Sequence, residues 1–310
     1  MHIVVFGSGG VGGYFGGRLA QAGEQITFIA RGEHLQVMLS QGLKVDSIKG
    51  NFTILPVIAT DDTTAVHAAD VILLCVKTWQ MARAAKSIIP MLESGTFVVP
   101  LENGVEAPAL LAEILGREHV LGGLCRIASQ LVAPGVIRHT GIEPHVAFGE
   151  LDKRQSARSS ALLQVFTQAG VSAEIPADIM LAMWQKFLFI STVSGIGALT
   201  RVPIGEFRSH PGIHGMLENA LQDCYAVALA QGIRLPENSV ANTLAYIDSL
   251  PSETIPSMQR DIMEGKPSEL DAQIGTIVRM GQEYNIPTPV HTFVYHSLLP
   301  QEILNRSRME

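Results

Sequence analysis

The sequence predicts an α/β chain: an N-terminal Rossmann-type, doubly wound parallel sheet with an antiparallel extension, then an all-helical carboxyl-terminal domain. Three observations predict this. A glycine-rich turn, Gly7-Ser8-Gly9-Gly10-Val11-Gly12, joins an apolar run to a helical pattern near the amino terminus. Apolar strand-like runs then alternate with helical stretches through the first half, which implies a sheet covered on both faces. From about Asp178 the strand pattern stops and helical periodicity alone continues. The boundary is expected near Pro176, giving domains 1–176 and 177–310.

His2-Ile3-Val4-Val5-Phe6 is short, rich in β-branched residues and bounded by glycine, so it reads as a buried strand. Tyr14, Phe15, Leu19 and Ala20 follow at helical spacing, and Gly23 is the helix stop. Gln25-Ile26-Thr27-Phe28-Ile29 is the second strand and ends at Ala30-Arg31. Val71-Ile72-Leu73-Leu74-Cys75-Val76 is the most hydrophobic strand candidate; Lys77 and a helical stretch to Ile88-Ile89 come after it. Thr96-Phe97-Val98-Val99 leads into Pro100-Leu101-Glu102-Asn103-Gly104. The glycine turn, Arg31, Lys77 and Asn103 all follow strand ends, where open α/β sheets bind ligands, so the four are expected to converge on one crevice. Between 120 and 149, three short strands separated by glycine-containing turns suggest the antiparallel extension, with a helix over 154–169 and a last strand over 171–175. Helices are expected over 178–194, 212–231, 239–250 and 268–285, the last with Leu270, Ile274, Ile277 and Val278 on one face. Ile286-Pro287-Thr288-Pro289 is a turn before a final helix.

The chain has 310 residues, 47% hydrophobic and 16% charged, a composition that folds and buries a core. A net charge of −7 with no basic stripe excludes a general nucleic-acid binder. Cys75, Cys125 and Cys224 show neither metal-ligand spacing nor a disulfide framework, and the ten histidines form no metal or triad pattern, so no metal is expected. A strand starting at His2 leaves no room for a leader, and the apolar runs fall short of a membrane span or contain Lys186. The expectation is a cytoplasmic protein without nucleic-acid or membrane partners; an apolar helical domain is compatible with a homodimer.

The glycines have separate tasks. Gly7 permits the tight turn, Gly9 lets backbone approach a pyrophosphate, and Gly12 lets helix and strand pack closely. The pyrophosphate of a dinucleotide then sits at the helix N-terminus, where exposed N–H groups favour anions. At the end of the second strand an NAD enzyme usually has a carboxylate for the ribose hydroxyl; an arginine there suits the 2′-phosphate of NADP. Arg31 therefore favours NADPH, and Glu33 is expected to point away; an ordinary solvent-facing arginine satisfies the same pattern.

Lys186 lies in the apolar stretch Met183-Trp184-Gln185-Lys186-Phe187-Leu188-Phe189-Ile190. An ammonium in such surroundings must pair, reach water along its stem, or be retained for proton transfer, to which a partly desolvated lysine is suited. Sequence physics leaves these open. Glu269 reads first as a first-turn acid, with Ser268 capping the helix and Asp271 completing a capping box.

At this point the chain resembles the ketopantoate reductases (2-dehydropantoate 2-reductases). The residues that carry the resemblance are the glycine turn, Val76-Lys77-Thr78-Trp79-Gln80, Glu102-Asn103-Gly104, Trp184-Gln185-Lys186-Phe187, Ser257-Met258-Gln259-Arg260-Asp261-Ile262 and Ser268-Glu269-Leu270-Asp271. They occur in the family's order over nearly the whole chain. The resemblance implies reduction of 2-dehydropantoate to pantoate by NADPH, on the route to pantothenate and coenzyme A. It makes Lys186 the proton donor to the carbonyl oxygen and Glu269 its acidic partner. It puts Lys77 and Asn103 near the nicotinamide and its ribose, and Asn103, Lys186, Ser194 and Ser257 at the substrate, with Ser257 on the carboxylate.

Three positions depart from the family pattern. Where the family commonly has asparagine, this chain has Ile190, Ser194 and Ile204. Isoleucine removes a donor and an acceptor together, and sites built for a substrate hydroxyl discriminate through such groups. The alternative substrate is thus a different, more apolar 2-keto acid. An alternative of another class is an NADP(H)-binding regulator without turnover.

Overall fold

Strand β1 (His2–Phe6) lies at the centre of a five-stranded, all-parallel sheet of order β5-β2-β1-β6-β7. Its neighbours are β2 (Gln25–Ile29), β5 (Ala59–Thr60), β6 (Val71–Leu74) and β7 (Phe97–Pro100). The computed structural model describes residues 1–308. Because side chains alternate along a strand, Ile3 and Val5 join one core while Val4 joins the other, and all three are fully buried. The first core holds Phe15 and Leu19 of α1 (Gly10–Gln21) with Phe148 and Phe166; the second holds Ala84, Ala85 and Ile88 of α3 (Met81–Ile88) and Leu111 of α4 (Ala107–Leu115). A sheet covered on both faces follows, and its strand order reverses at β1, between β2 and β6.

The segment expected as an antiparallel extension is a long hairpin of β8 (Leu121–Ala133) and β9 (Val136–Glu150). It belongs to a second sheet, order β10-β9-β3-β4 with β8 on β9, that is mixed in direction. A parallel bridge between Val98 and Val120 joins it to the first sheet. The shorter strands expected in this region are interrupted in sequence by turn-forming residues, yet pairing across the hairpin carries the ladder through, with register shifts near Arg126 and Leu131. Strands β3 (Leu43–Ser47) and β4 (Phe52–Ile54), and the helix α2 (Gly32–Gln41), were not anticipated. Helix α5 (Ala157–Gln168) and strand β10 (Ser172–Glu174) close this unit.

The chain divides into two compact units, Met1–Glu102 with Ala107–Ile179, and Asn103–Glu106 with Met180–Glu310. The second is helical: α6 (Ile179–Thr200), α7 (Ile204–Ser209), α8 (Pro211–Ala230), α9 (Ser239–Ser249), α10 (Ser257–Met263), α11 (Thr276–Tyr284) and α12 (Pro289–Ser307). Helix α6 has the length and mean hydropathy (1.4) of a membrane span, but 61% of that stretch is buried inside the protein. Two of its glycines allow close packing: a Cβ on Gly195 would stand 2.9 Å from Ile274, and one on Gly197 would collide with the amide oxygen of Gln259. A single π-helical turn, Asp271–Gly275, precedes α11, which ends on Asn285 in the left-handed conformation (φ 56°).

Candidate active site

In the first unit, the sheet order brings the glycine turn after β1 beside the Cys75–Lys77 segment after β6, at the point where the order reverses. Gly7 has φ +99°, and a Cβ there would lie 2.9 Å from the Cys75 carbonyl oxygen. The turn is therefore closed to any other residue. A Cβ on Gly12 would fall on the Gly7 carbonyl oxygen and within 2.8 Å of Val5, so this glycine sets how closely α1 lies on β1. At Gly9, by contrast, nothing stands within 4 Å of a built Cβ. That open backbone caps α1, accepting from the Gly13 N–H at 2.7 Å. The three glycines thus have the strained, open and close-packed geometries that a pyrophosphate cradle needs. Ser8 is buried; Gly10 and Val11 are partly covered.

Arg31 is exposed at the N-cap of α2, one strand over from the turn, and Glu33 is exposed in the first turn of that helix. Lys77 is half-buried after β6, its Nζ 5.7 Å from the Trp79 ring centre. Asn103, expected with these groups, belongs to the other unit: its four-residue segment packs with the helices.

In the helical unit, Trp184 and Phe187 are buried and meet edge to face, while Lys186 between them is half-buried. Lys186, Ile190 and Ser194 share one i, i+4 row of α6, and burial deepens along it. Ile190 is half-buried. Ser194 is fully buried and its hydroxyl has no hydrogen-bond partner among the described residues. Ile204 opens α7 within the core, its N–H donating to the Thr254 carbonyl at 3.0 Å. Ser257 is half-buried as the first residue of α10.

Glu269 is 4% exposed. Its Oε2 accepts from the Gln273 side-chain amide at 3.2 Å and from Asn103 Nδ2 at 3.5 Å, so these two sequence-predicted residues do meet. The capping box expected at Ser268 and Asp271 does not form. Ser268 Oγ accepts the Leu270 N–H at 3.2 Å, but the reciprocal place is taken by Glu302, whose oxygens receive the Ser268 N–H at 3.0 Å and its hydroxyl at 2.6 Å. Arg306 holds Glu302 at 2.7 Å and the Ser268 carbonyl at 3.2 Å. Asp271 turns the other way, accepting from Arg279 and from the Tyr295 hydroxyl, each at 2.8 Å. Burial and this contact together push the Tyr295 phenol above its ordinary range. Glu106 completes the set, receiving Thr276 Oγ1 at 2.5 Å and Arg279 at 2.9 Å.

Glu302, Gln273 and Glu106 were missed in the sequence. Glu106 lies outside the helices, and Glu302 and Gln273 have polar neighbours at helical spacing, Arg306 and Glu269, so no local pattern marked any of the three. Chemically, the arrangement offers a buried carboxylate oriented by two amides, on the unit whose longest helix carries a half-buried lysine.

The ketopantoate reductase PanE/ApbA family model matches residues 3–153, and the model of the family's C-terminal part matches residues 178–302. A 2-dehydropantoate 2-reductase of Nostoc sp. is 28% identical over 299 residues, 95% of this chain and 93% of that protein. The crystal structure of a PanE/ApbA family ketopantoate reductase from Ralstonia eutropha superposes with a TM-score of 0.91 at 29% identity, covering 99% of this chain and 100% of that one. D-mandelate dehydrogenase, solved with NADH and anilino(oxo)acetate, has the same fold, with a TM-score of 0.90 at 22% identity over 99% of both chains. The chain therefore belongs to the ketopantoate reductase PanE/ApbA family of oxidoreductases.

Proposed function

We propose that this protein reduces 2-dehydropantoate to pantoate with NADPH, in the cytoplasm, on the route to pantothenate and coenzyme A. The observation that carries the reading is the pairing of Asn103 with the buried Glu269, in a member of this family whose α6 also supplies Lys186. Gly7, Ser8, Gly9, Gly10, Val11 and Gly12 would hold the pyrophosphate, Arg31 the 2′-phosphate, and Lys77 and Asn103 the nicotinamide end. The open face at Gly9 fits that group, because only a residue without a Cβ lets backbone N–H groups approach it. When bound, the reduced nicotinamide supplies the hydride for the keto carbon.

The remaining steps belong to the chain's own residues. Negative charge develops on the carbonyl oxygen as the carbon is reduced, and the Lys186 ammonium stabilises that charge and donates its proton to the oxygen. Glu269 favours the charged form of the lysine beforehand. Asn103 and Gln273 hold the carboxylate in place. Ser257 accommodates the substrate carboxylate, and Ser194 contributes a hydroxyl.

A second reading is favoured by Ile190, one turn beyond Lys186 on the same half-buried row. A pocket with isoleucine there lacks a partner for a substrate hydroxyl and suits a more apolar 2-keto acid. Ile204 adds little to this, being packed in the core. Steady-state assays of a panel of 2-keto acids with NADPH separate the two. Highest kcat/KM on 2-dehydropantoate supports the first reading; an efficiency no better than that of apolar analogues rejects it.

A further inference from the structure

The glycine turn has a polar fastening outside the residues assigned above. His34, in the first turn of α2, is half-buried, with Nε2 2.9 Å from the Ser8 carbonyl oxygen. Its Nδ1 lies 2.9 Å from the backbone nitrogen of Gly135, at the tip of the β8–β9 hairpin. A backbone N–H only donates, so Nδ1 is the acceptor, and the ring proton sits on Nε2 and is donated to Ser8. The ring is neutral and its tautomer is fixed at both ends. Burial pushes its pKa below the ordinary histidine value, against the upward pull of the Ser8 bond.

The three elements that meet at this ring are otherwise set by backbone contacts. Gly135 has φ +72°, its carbonyl accepts from Lys44 N–H at 2.8 Å, and a Cβ there would lie 2.5 Å from Val37. At the start of α1, a Cβ on Gly10 would lie 2.5 Å from the Ser129 carbonyl oxygen. The hairpin is thus seated against both α2 and α1. The Ser8 carbonyl is in the same rigid peptide unit as the Gly9 N–H, and the two point in opposite directions. A hydrogen bond that holds the carbonyl therefore aims that N–H.

We propose that His34 is a positioning residue for the dinucleotide: by holding the Ser8 carbonyl it aims the Gly9 N–H and keeps the phosphate turn in register with the helix start that carries Arg31. This rests on reading the turn as the NADPH site. Two bonds, one to each nitrogen, allow a split test. In His34→Gln the side-chain amide nitrogen replaces Nε2 and keeps the Ser8 bond; in His34→Asn the amide oxygen replaces Nδ1 and keeps only the Gly135 bond.

The experiment is titration of NADPH against wild type, His34→Gln, His34→Asn and His34→Ala, with thermal midpoints and amide hydrogen exchange of the dinucleotide-free proteins in parallel. Affinity is expected to stay near wild type in the Gln variant and to fall on the order of tenfold in the Asn and Ala variants, the scale of one lost buried hydrogen bond. Exchange in the Asn variant should stay slow at Gly135 and quicken at Ser8–Gly10. A merely structural role would make affinity track thermal midpoint. Gln binding as weakly as Ala, or Asn as tightly as wild type, overturns the proposal. A wild type that binds no dinucleotide sinks the reading of the turn instead, while the exchange pattern still reports whether the fastening exists.

Discussion

Lys186 is the residue on which the proposed chemistry turns. Lys186 is half-buried on a helix whose neighbouring Trp184 and Phe187 are buried, and partial burial raises the cost of an ammonium charge unless an acid offsets it. Lys186→Ala should lower kcat by about 10²–10⁴-fold, the usual range for a positioned general acid, while the NADPH dissociation constant barely moves. Steady-state kinetics and cofactor titration check both halves; an unchanged kcat removes Lys186 from the mechanism. Arg31, exposed at the start of α2, carries a different prediction. Replacing it with alanine should cost NADPH binding about 1–3 kcal/mol, as for a charged hydrogen bond, and leave NADH binding alone. Equal losses for the two cofactors would show that Arg31 does not read the 2′-phosphate.

At the scale of elements, what local sequence dictates was legible and what distant pairing dictates was not. The ends of β1 and β2 could be read because a β-branched run bounded by glycine is a self-contained signal. β4 and β5, three and two residues long, are too short to show a period, and β3 is held on one side by β9, far along the chain. Ser268 misled for the same reason. Its capping pattern is local, but Glu302, 34 positions away, outcompetes Asp271 for it. That buried carboxylate, 3% exposed, fastens the residue before Glu269 to α12 through Ser268 and Arg306. Glu302→Gln keeps the shape, removes the charge that strengthens both contacts, and should destabilise the protein by about 1–3 kcal/mol. Urea unfolding measures the loss. A rise in exchange at Ser268–Leu270, without a comparable rise in α8, would localise it. The role proposed for Ser257 came from resemblance to a family, since a helix-opening serine has no distinctive local pattern; the apolar stretch around Lys186 marked that residue, and the resemblance chose among the readings the stretch left open.

For the whole molecule, stability should depend on acid in a defined direction. Glu150, at the end of β9, is 4% exposed and takes a bidentate pair of hydrogen bonds from Arg158 at 2.7 Å each. Burial raises its carboxyl pKa, but the Arg158 and Ser156 hydrogen bonds and the nearby arginines outweigh that, and the net shift is downward. The unfolded chain therefore takes up this proton at a higher pH than the folded one. The stability it contributes is present above the ordinary carboxylate range and is lost as pH falls through the lowered folded value. Arg158→Met should cost about 3 kcal/mol at neutral pH, as for breaking a largely buried pair, with the deficit shrinking on acidification. Denaturant midpoints across the acid range test the slope.

The four residues Asn103–Glu106 interrupt one unit to complete the other, which bears on dissecting the protein. A gene split after Ile179 would hand the amino-terminal fragment a tetrapeptide with nothing to sit on. It would also deprive the carboxyl-terminal fragment of Glu106, which Thr276 and Arg279 grip, and of Asn103 beside Glu269. Neither piece would be a faithful excerpt, and fragment complementation should succeed only when both are present together.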